Sequence, residues 1–255
     1  MARAPDAPWG RYRGQVGPGR TARQHLPRPV GWTEGDPAPW HTVPTERRIV
    51  TGETVRHALT ATDPNLQLTP PAGERAAAVL AVLSPNSDGD LDVVITRRSQ
   101  HLRTHRGELS FPGGGQDPGE TLVRTALREA REEVGLASTA VEAIARLQPL
   151  RTAISGRWIV PYVAAADARP RLWAASPGEV DEILFVPLRH LVAPGVFWEE
   201  RWALGVVHWP VSFFDLGPDV IWGATASMLR DLLARLMGTP VGPRVDSPLW
   251  LPDDD

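Results

Sequence analysis

The chain has 255 residues, 42% of them hydrophobic, a formal net charge of -3 and no cysteine. That is enough apolar sequence for one sizeable core, so a central domain with terminal extensions is expected rather than two domains. The charge speaks against bulk affinity for nucleic acid, the missing cysteine excludes disulfides, thiolate catalysis and cysteine-ligated zinc, and no apolar run reaches the roughly 18 residues a membrane span requires.

Residues 1–45 interleave proline with glycine, arginine and tryptophan and show neither helical nor strand periodicity. An unstructured arm is expected there. Contact with nucleic acid or a partner through Arg3, Arg11, Arg13, Arg20 and Arg23 is the alternative to plain solvation. The arginines are not followed by an apolar stretch, so no secretory signal is read and cytoplasmic residence is expected. The domain is expected over residues 46–238, and an unstructured acidic tail over 239–255.

Residues 52–60 read as a short helix leading into the domain. Residues 75–83 form a continuous apolar run of strand length, as found in the middle of a sheet. A turn cluster at 85–90 then leads to residues 91–98, read as the partner strand of a hairpin. The segment 96–114 carries Arg97, Arg98, Arg103 and Arg106 directly before an acidic helix. Guanidinium groups bind phosphate oxygens in bidentate fashion, so these four are candidates for a clamp on an anionic substrate or for pairing with the helix.

That helix follows the turn formers Asp117, Pro118 and Gly119 and runs without glycine or proline from Thr121 to Gly135, a helix stop. At 100° per residue Leu122, Val123, Ala126, Leu127, Ala130 and Val134 share one broad face, while Glu129, Glu132 and Glu133 gather on its flank beside Arg128. Like charges one turn apart cost an isolated helix roughly 0.2–0.5 kcal/mol per pair, so a positive partner is expected. Converging carboxylates suit a hard divalent cation, Mg²⁺ or Mn²⁺. A solvated acidic flank would be the structural alternative.

Residues 139–149 and 157–166 read as further strands of the same sheet, with Pro161 marking an edge or a bulge. Glu179 and Glu182 precede an apolar strand at 183–188 and read as solvated loop residues, an auxiliary acid of a site being the alternative. His190 and His208 stand alone among apolar neighbours and read as structural. Residues 205–214 form another strand, and 221–238 a second amphipathic helix whose Trp222, Leu229, Leu232, Leu233 and Leu236 read as a core stripe. Strands and helices in this order predict an α+β domain with a mixed sheet between helices.

From Gly114 the chain reads five residues, Glu120, seven residues, Arg128-Glu129, two residues, Glu132-Glu133, one residue, Gly135. This spacing resembles the Nudix box, the signature of a family of Mg²⁺-dependent pyrophosphohydrolases; Ala130 stands where a bulky aliphatic is usual. The resemblance implies a Nudix-type α/β/α sandwich with a mixed β-sheet. It implies Glu129 and Glu133 as metal ligands, Glu132 as a further ligand or base, Arg128 holding the glutamates and Glu120 bracing the loop. Val94-Ile95-Thr96, Arg98-Ser99, Arg103, Gly107 and Phe111-Pro112-Gly113-Gly114 are similar to the coenzyme A pyrophosphatase subfamily, whose members split the diphosphate of coenzyme A into 3′,5′-ADP and 4′-phosphopantetheine. This implies Arg98, Ser99, Arg103, Gly113 and Gly114 as substrate-binding. The spacing from Glu120 to Arg128 is that of the general box, one residue shorter than in many members of the subfamily. The alternatives are hydrolysis of ADP-ribose or a dinucleotide, and a catalytically silent Nudix-like ligand-sensing module. Silent domains typically lack a box glutamate, and none is missing here.

Overall fold

The computed structural model describes residues 26, 28–59, 63–151, 157–204 and 207–241. Its centre is the apolar run read from the sequence, which forms β2 (Arg75–Pro85) and lies between neighbours on both sides. Before it stand β1 (Thr33–Glu34) and the helix α1 (Gly52–Leu59). After it come β3 (Leu91–Arg98), β4 (Leu109–Ser110), β5 (Gly113–Gly115) and the acidic helix α2 (Leu122–Val134). The chain continues through β6 (Glu142–Arg146), β7 (Leu150–Arg151), β8 (Arg157–Ala165), β9 (Val180–Pro187) and the short α3 (Leu188–Leu191). It closes with β10 (Phe197–Leu204), β11 (Val207–Asp215), β12 (Val220–Trp222) and α4 (Gly223–Leu236).

The main sheet runs β4-β3-β2-β8-β6, with β5 on β2, β7 on β8 and β9 on β3. β2 and β8 are parallel and the other pairs antiparallel, so the sheet is mixed, as expected. Side chains alternate across a strand, and β2 shows the consequence. Ala78, Leu80 and Val82 pack under α2 with Leu122, Ala126, Ala130 and Val134. Val79, Ala81 and Leu83 face the opposite side, in the cluster holding Val55 and Leu59 of α1 and Leu229, Leu232, Leu233 and Leu236 of α4. Both faces are buried, which is why the run has no polar alternation.

The structure corrects several expectations. β3 is the hairpin partner of β2, as expected, over three positions at the turn, but most of its length lies against β9. Pro161 lies in an interior strand, not at an edge; opposite it the neighbouring strand is interrupted between Arg146 and Leu150, so no ladder bond needs its missing N–H. Residues 197–222 do not extend the main sheet but form a second antiparallel one, β1-β10-β11-β12. Trp222 belongs to β12 and packs 6.0 Å from Trp202, outside the helical stripe assigned to it.

The expectation of an unstructured arm through residue 45 does not hold from residue 28 on. Trp40 is 1% exposed and stacks 6.2 Å from Phe214 in the larger core. Arg28 donates to both oxygens of the fully buried Glu200, at 2.9 and 2.6 Å, and the Trp198 and Trp202 indole N–H groups donate to the same carboxylate. Burial of aromatic area and a satisfied charge hold this stretch, neither of which has a local sequence period. Arg3, Arg11, Arg13, Arg20, Arg23 and most of the tail lie outside the described residues.

Candidate active site

The site grows from the two ends of α2. Thr121 caps the start, its hydroxyl accepting from the Arg124 N–H, and Gly135 ends the helix in the left-handed conformation at φ 67°. β5 approaches β2 so closely that a Cβ on Gly113 would collide with the Ala78 carbonyl and Val79. A Cβ on Gly114 would collide with the Glu129 carboxylate. Glycine is required at Gly113, where the strand backbone itself is met, while at Gly114 a side chain would displace the Glu129 carboxylate.

Arg128 organises the flank. Its Nε donates to Glu120 at 3.2 Å, Nη1 to Glu129 and Glu132 at 3.0 Å each, and Nη2 to the Gly115 carbonyl at 2.9 Å. Thr125 Oγ1 also donates to Glu120, at 2.8 Å. Burial disfavours the Glu120 anion, but the bonds from Arg128, Thr125 and the Asp117 N–H outweigh it and hold its pKa below the ordinary carboxylate value. Arg128 in turn is raised, by the Glu120 bond foremost. The pair braces the turn against the helix.

Glu133 is 5% exposed and accepts from the Gly113 N–H at 3.2 Å. Burial pushes its pKa up to about 7, with Glu129 and Glu179 adding repulsion and Gly113 and Arg98 opposing. Burial likewise raises Glu129, against the pull of Arg128 and with repulsion from Glu132 and Glu179. A buried and a partly buried carboxylate thus lie near one another with negative charge in excess. Glu132 is half exposed and shares the Arg128 Nη1 donor with Glu129. Among the described residues no group of three acidic, histidine or cysteine side chains is set to enclose a cation. Glu129, Glu132 and Glu133 all lie on this flank, Glu132 the most exposed of the three. A pair still fits Mg²⁺, which dehydrates reluctantly and is held by one or two carboxylates together with substrate phosphates.

Of the arginines before α2, only Arg98 turns to the carboxylates, and its buried Nε has no hydrogen-bond partner among the described residues. Arg97 points to the other face, donating bidentately to Asp219 at 2.9 and 2.7 Å and to Glu182 at 3.1 Å. Arg106 donates to the Leu102 carbonyl, and Arg103 is exposed without an ion pair among the described residues. Ser99 is fully buried; its backbone N–H donates to the Glu179 carbonyl at 2.8 Å and its hydroxyl bonds Asp181, so it anchors the loop to β9. Glu179, read from sequence as solvated, is exposed but close enough to repel both carboxylates. The pairing of β3 with β9 brings it there. His190 bonds the Asp215 carbonyl at 2.9 Å, a structural role.

A family model of the NUDIX domain matches residues 74–204. The chain is similar to proteins described as uncharacterized Nudix hydrolase NudL from Salmonella newport and Salmonella dublin, each 33% identical over 171 residues and covering 64% of this chain and 83% of the relative. Among solved structures, the Nudix hydrolase RenU from M. Smegmatis matches at 22% identity and a TM-score of 0.39, covering 45% of this chain and 71% of that one. A MutT/nudix family protein from Enterococcus faecalis matches at 16% identity and a TM-score of 0.43, covering 76% and 77%.

Proposed function

We propose that this chain, which belongs to the NUDIX family and is a hydrolase acting on phosphoanhydride bonds of nucleoside diphosphate derivatives, cleaves the diphosphate of coenzyme A or its derivatives to 3′,5′-ADP and 4′-phosphopantetheine. One observation carries the reading: the Arg98–Gly114 segment, whose pattern resembles the coenzyme A subfamily, packs on Glu129 and Glu133 and leaves Arg98 Nε without a hydrogen-bond partner among the described residues.

Glu129 and Glu133 are the residues that would hold a divalent cation. When bound, Mg²⁺ or Mn²⁺ supplies neutralisation of the diphosphate charge and a water of lowered pKa. Arg98 offers its guanidinium to phosphate oxygens. Arg128 and Glu120 fix the helix against the Gly113–Gly115 edge, and the Gly113 N–H orients Glu133.

The test is a substrate panel with Mg²⁺: coenzyme A, ADP-ribose and a dinucleoside polyphosphate, with products identified by mass. The expected result is 3′,5′-ADP from coenzyme A, abolished by EDTA. Turnover of ADP-ribose or the dinucleotide alone would move the chain to another diphosphate substrate, and binding without turnover would make it a sensing module.

A further inference from the structure

Between β8 and β9 the chain runs without helix or strand over residues 166–179 and passes the end of α2. Arg169 anchors the start of this strap, donating to the buried Asp92 at 2.8 Å and lying 3.8 Å over the Phe185 ring. Leu172 packs into the cluster under α2. The Trp173 N–H then donates to the Val134 carbonyl at 3.1 Å, and the Ala175 N–H to the Glu133 carbonyl at 3.0 Å. At its far end the strap delivers Glu179, whose N–H donates to the Ser176 carbonyl and whose carbonyl accepts from the Ser99 N–H.

The last carbonyls of a helix have no partner inside it, and here the strap supplies two of them. One belongs to Glu133. That residue is therefore held from both ends, its carboxylate by the Gly113 N–H at 3.2 Å and its backbone by Ala175. Where strap and helix end meet, the fused ring atoms of Trp173 occupy the space that a Cβ on Gly135 would take, 2.5 to 2.7 Å from it. Trp173 is 59% exposed and stands outside the buried core, so its packing serves the helix end rather than the interior.

We propose that Trp173 is a positioning residue: seated on Gly135, it clamps the strap to the end of α2 and fixes Glu133 where it would hold a divalent cation. The proposal rests on the reading of Glu129 and Glu133 as cation ligands and adds what keeps their end of the helix in place.

The test is Mn²⁺ binding to the full chain, read from the spin resonance of the free ion, with kcat and KM for whichever diphosphate the chain cleaves. The proteins compared are wild type, Trp173→Ala, Trp173→Phe and Val123→Ala. Val123 packs on the same cluster from the first turn of α2 and reports the effect of lost stability alone. Trp173→Ala should weaken Mn²⁺ binding by about tenfold or more, as loss of support behind a metal ligand does, and lower kcat with KM little changed. Trp173→Phe, which keeps a flat ring on the glycine, should recover most of both. Val123→Ala should lower the melting temperature and leave Mn²⁺ binding as it was. Wild-type Mn²⁺ affinity in Trp173→Ala, at whatever melting temperature, overturns the proposal, and so does an equal weakening in Val123→Ala. Should Trp173→Ala not fold, Trp173→Leu is judged in its place by the same outcomes. A wild type that binds no Mn²⁺ sinks the cation site and this proposal together, whereas cleavage of ADP-ribose in place of coenzyme A sinks the substrate assignment and leaves Trp173 its role.

Discussion

Glu133 shows how one buried carboxylate is made useful. A carboxylate loses hydration when buried, and here only one backbone N–H and a nearby Arg98 compensate, while Glu129 and Glu179 add repulsion. Replacing it by glutamine keeps the shape and removes the charge. Glu133→Gln should lower kcat by about 10²–10⁴-fold while the melting temperature holds or rises; near-wild-type turnover in the presence of Mg²⁺ would show that the carboxylate is not needed. The box glutamates could be read from sequence because helical geometry fixes which positions share a flank. The burial of Glu133 against the Gly113 N–H, with Glu129 and Glu132 held on Arg128, could not, because it depends on where β5 presses on α2.

At the scale of elements, β5 and the loop before it carry the strain and the charge balance. Gly113→Ala forces a methyl group into the β2 backbone, and overpacking of this kind costs about 1–3 kcal/mol. A lower denaturation midpoint with an unchanged slope would register it, and an unaffected midpoint would contradict the close approach. In the preceding loop His105 adopts φ 57° and lies 3.0 Å from Glu108. The Glu108 bond raises its pKa against the opposing effects of burial and Arg98. A histidine raised on folding adds stability that is full below its unfolded value of about 6.5 and is lost as pH rises through the folded value. The melting-temperature gap between wild type and Glu108→Gln should therefore shrink as pH rises from about 6 to about 8. A gap that widens would reverse the assignment.

The whole molecule depends on ties between its two sheets. Arg97 on β3 reaches the fully buried Asp219 beside β12, a bidentate ion pair across the sheets. Asp219→Ala strands the guanidinium and should cost about 3–5 kcal/mol in chemical denaturation, whereas Arg97→Met with Asp219→Leu should lose much less. A small loss in the single variant would mean that Glu182 alone suffices as partner. The N-terminal stretch is the second tie. Trp40→Ala removes a fully buried indole from the larger core and should destabilise the domain by about 3–5 kcal/mol; an unchanged melting temperature would restore the view of residues 28–45 as a loose arm.

The sequence by itself determined what repeats with a local period: the acidic helix and its caps, the continuous apolar strand at the centre of a mixed sheet, the short helix α1, and the glutamates and glycines that belong to one site. Only the tertiary structure decided which arginine turns to the carboxylates, that Glu179 lies near them, that Trp40 is buried and Arg28 pairs with a buried carboxylate, and that residues 197–222 join residues 33–34 in a second sheet. The physical reason is one of range. Helix and strand periodicity is set by the backbone within a few residues, whereas strand pairing, ion-pair partnership and the burial of aromatic groups are settled between residues far apart in the chain, as in Arg28 with Glu200 and Arg97 with Asp219.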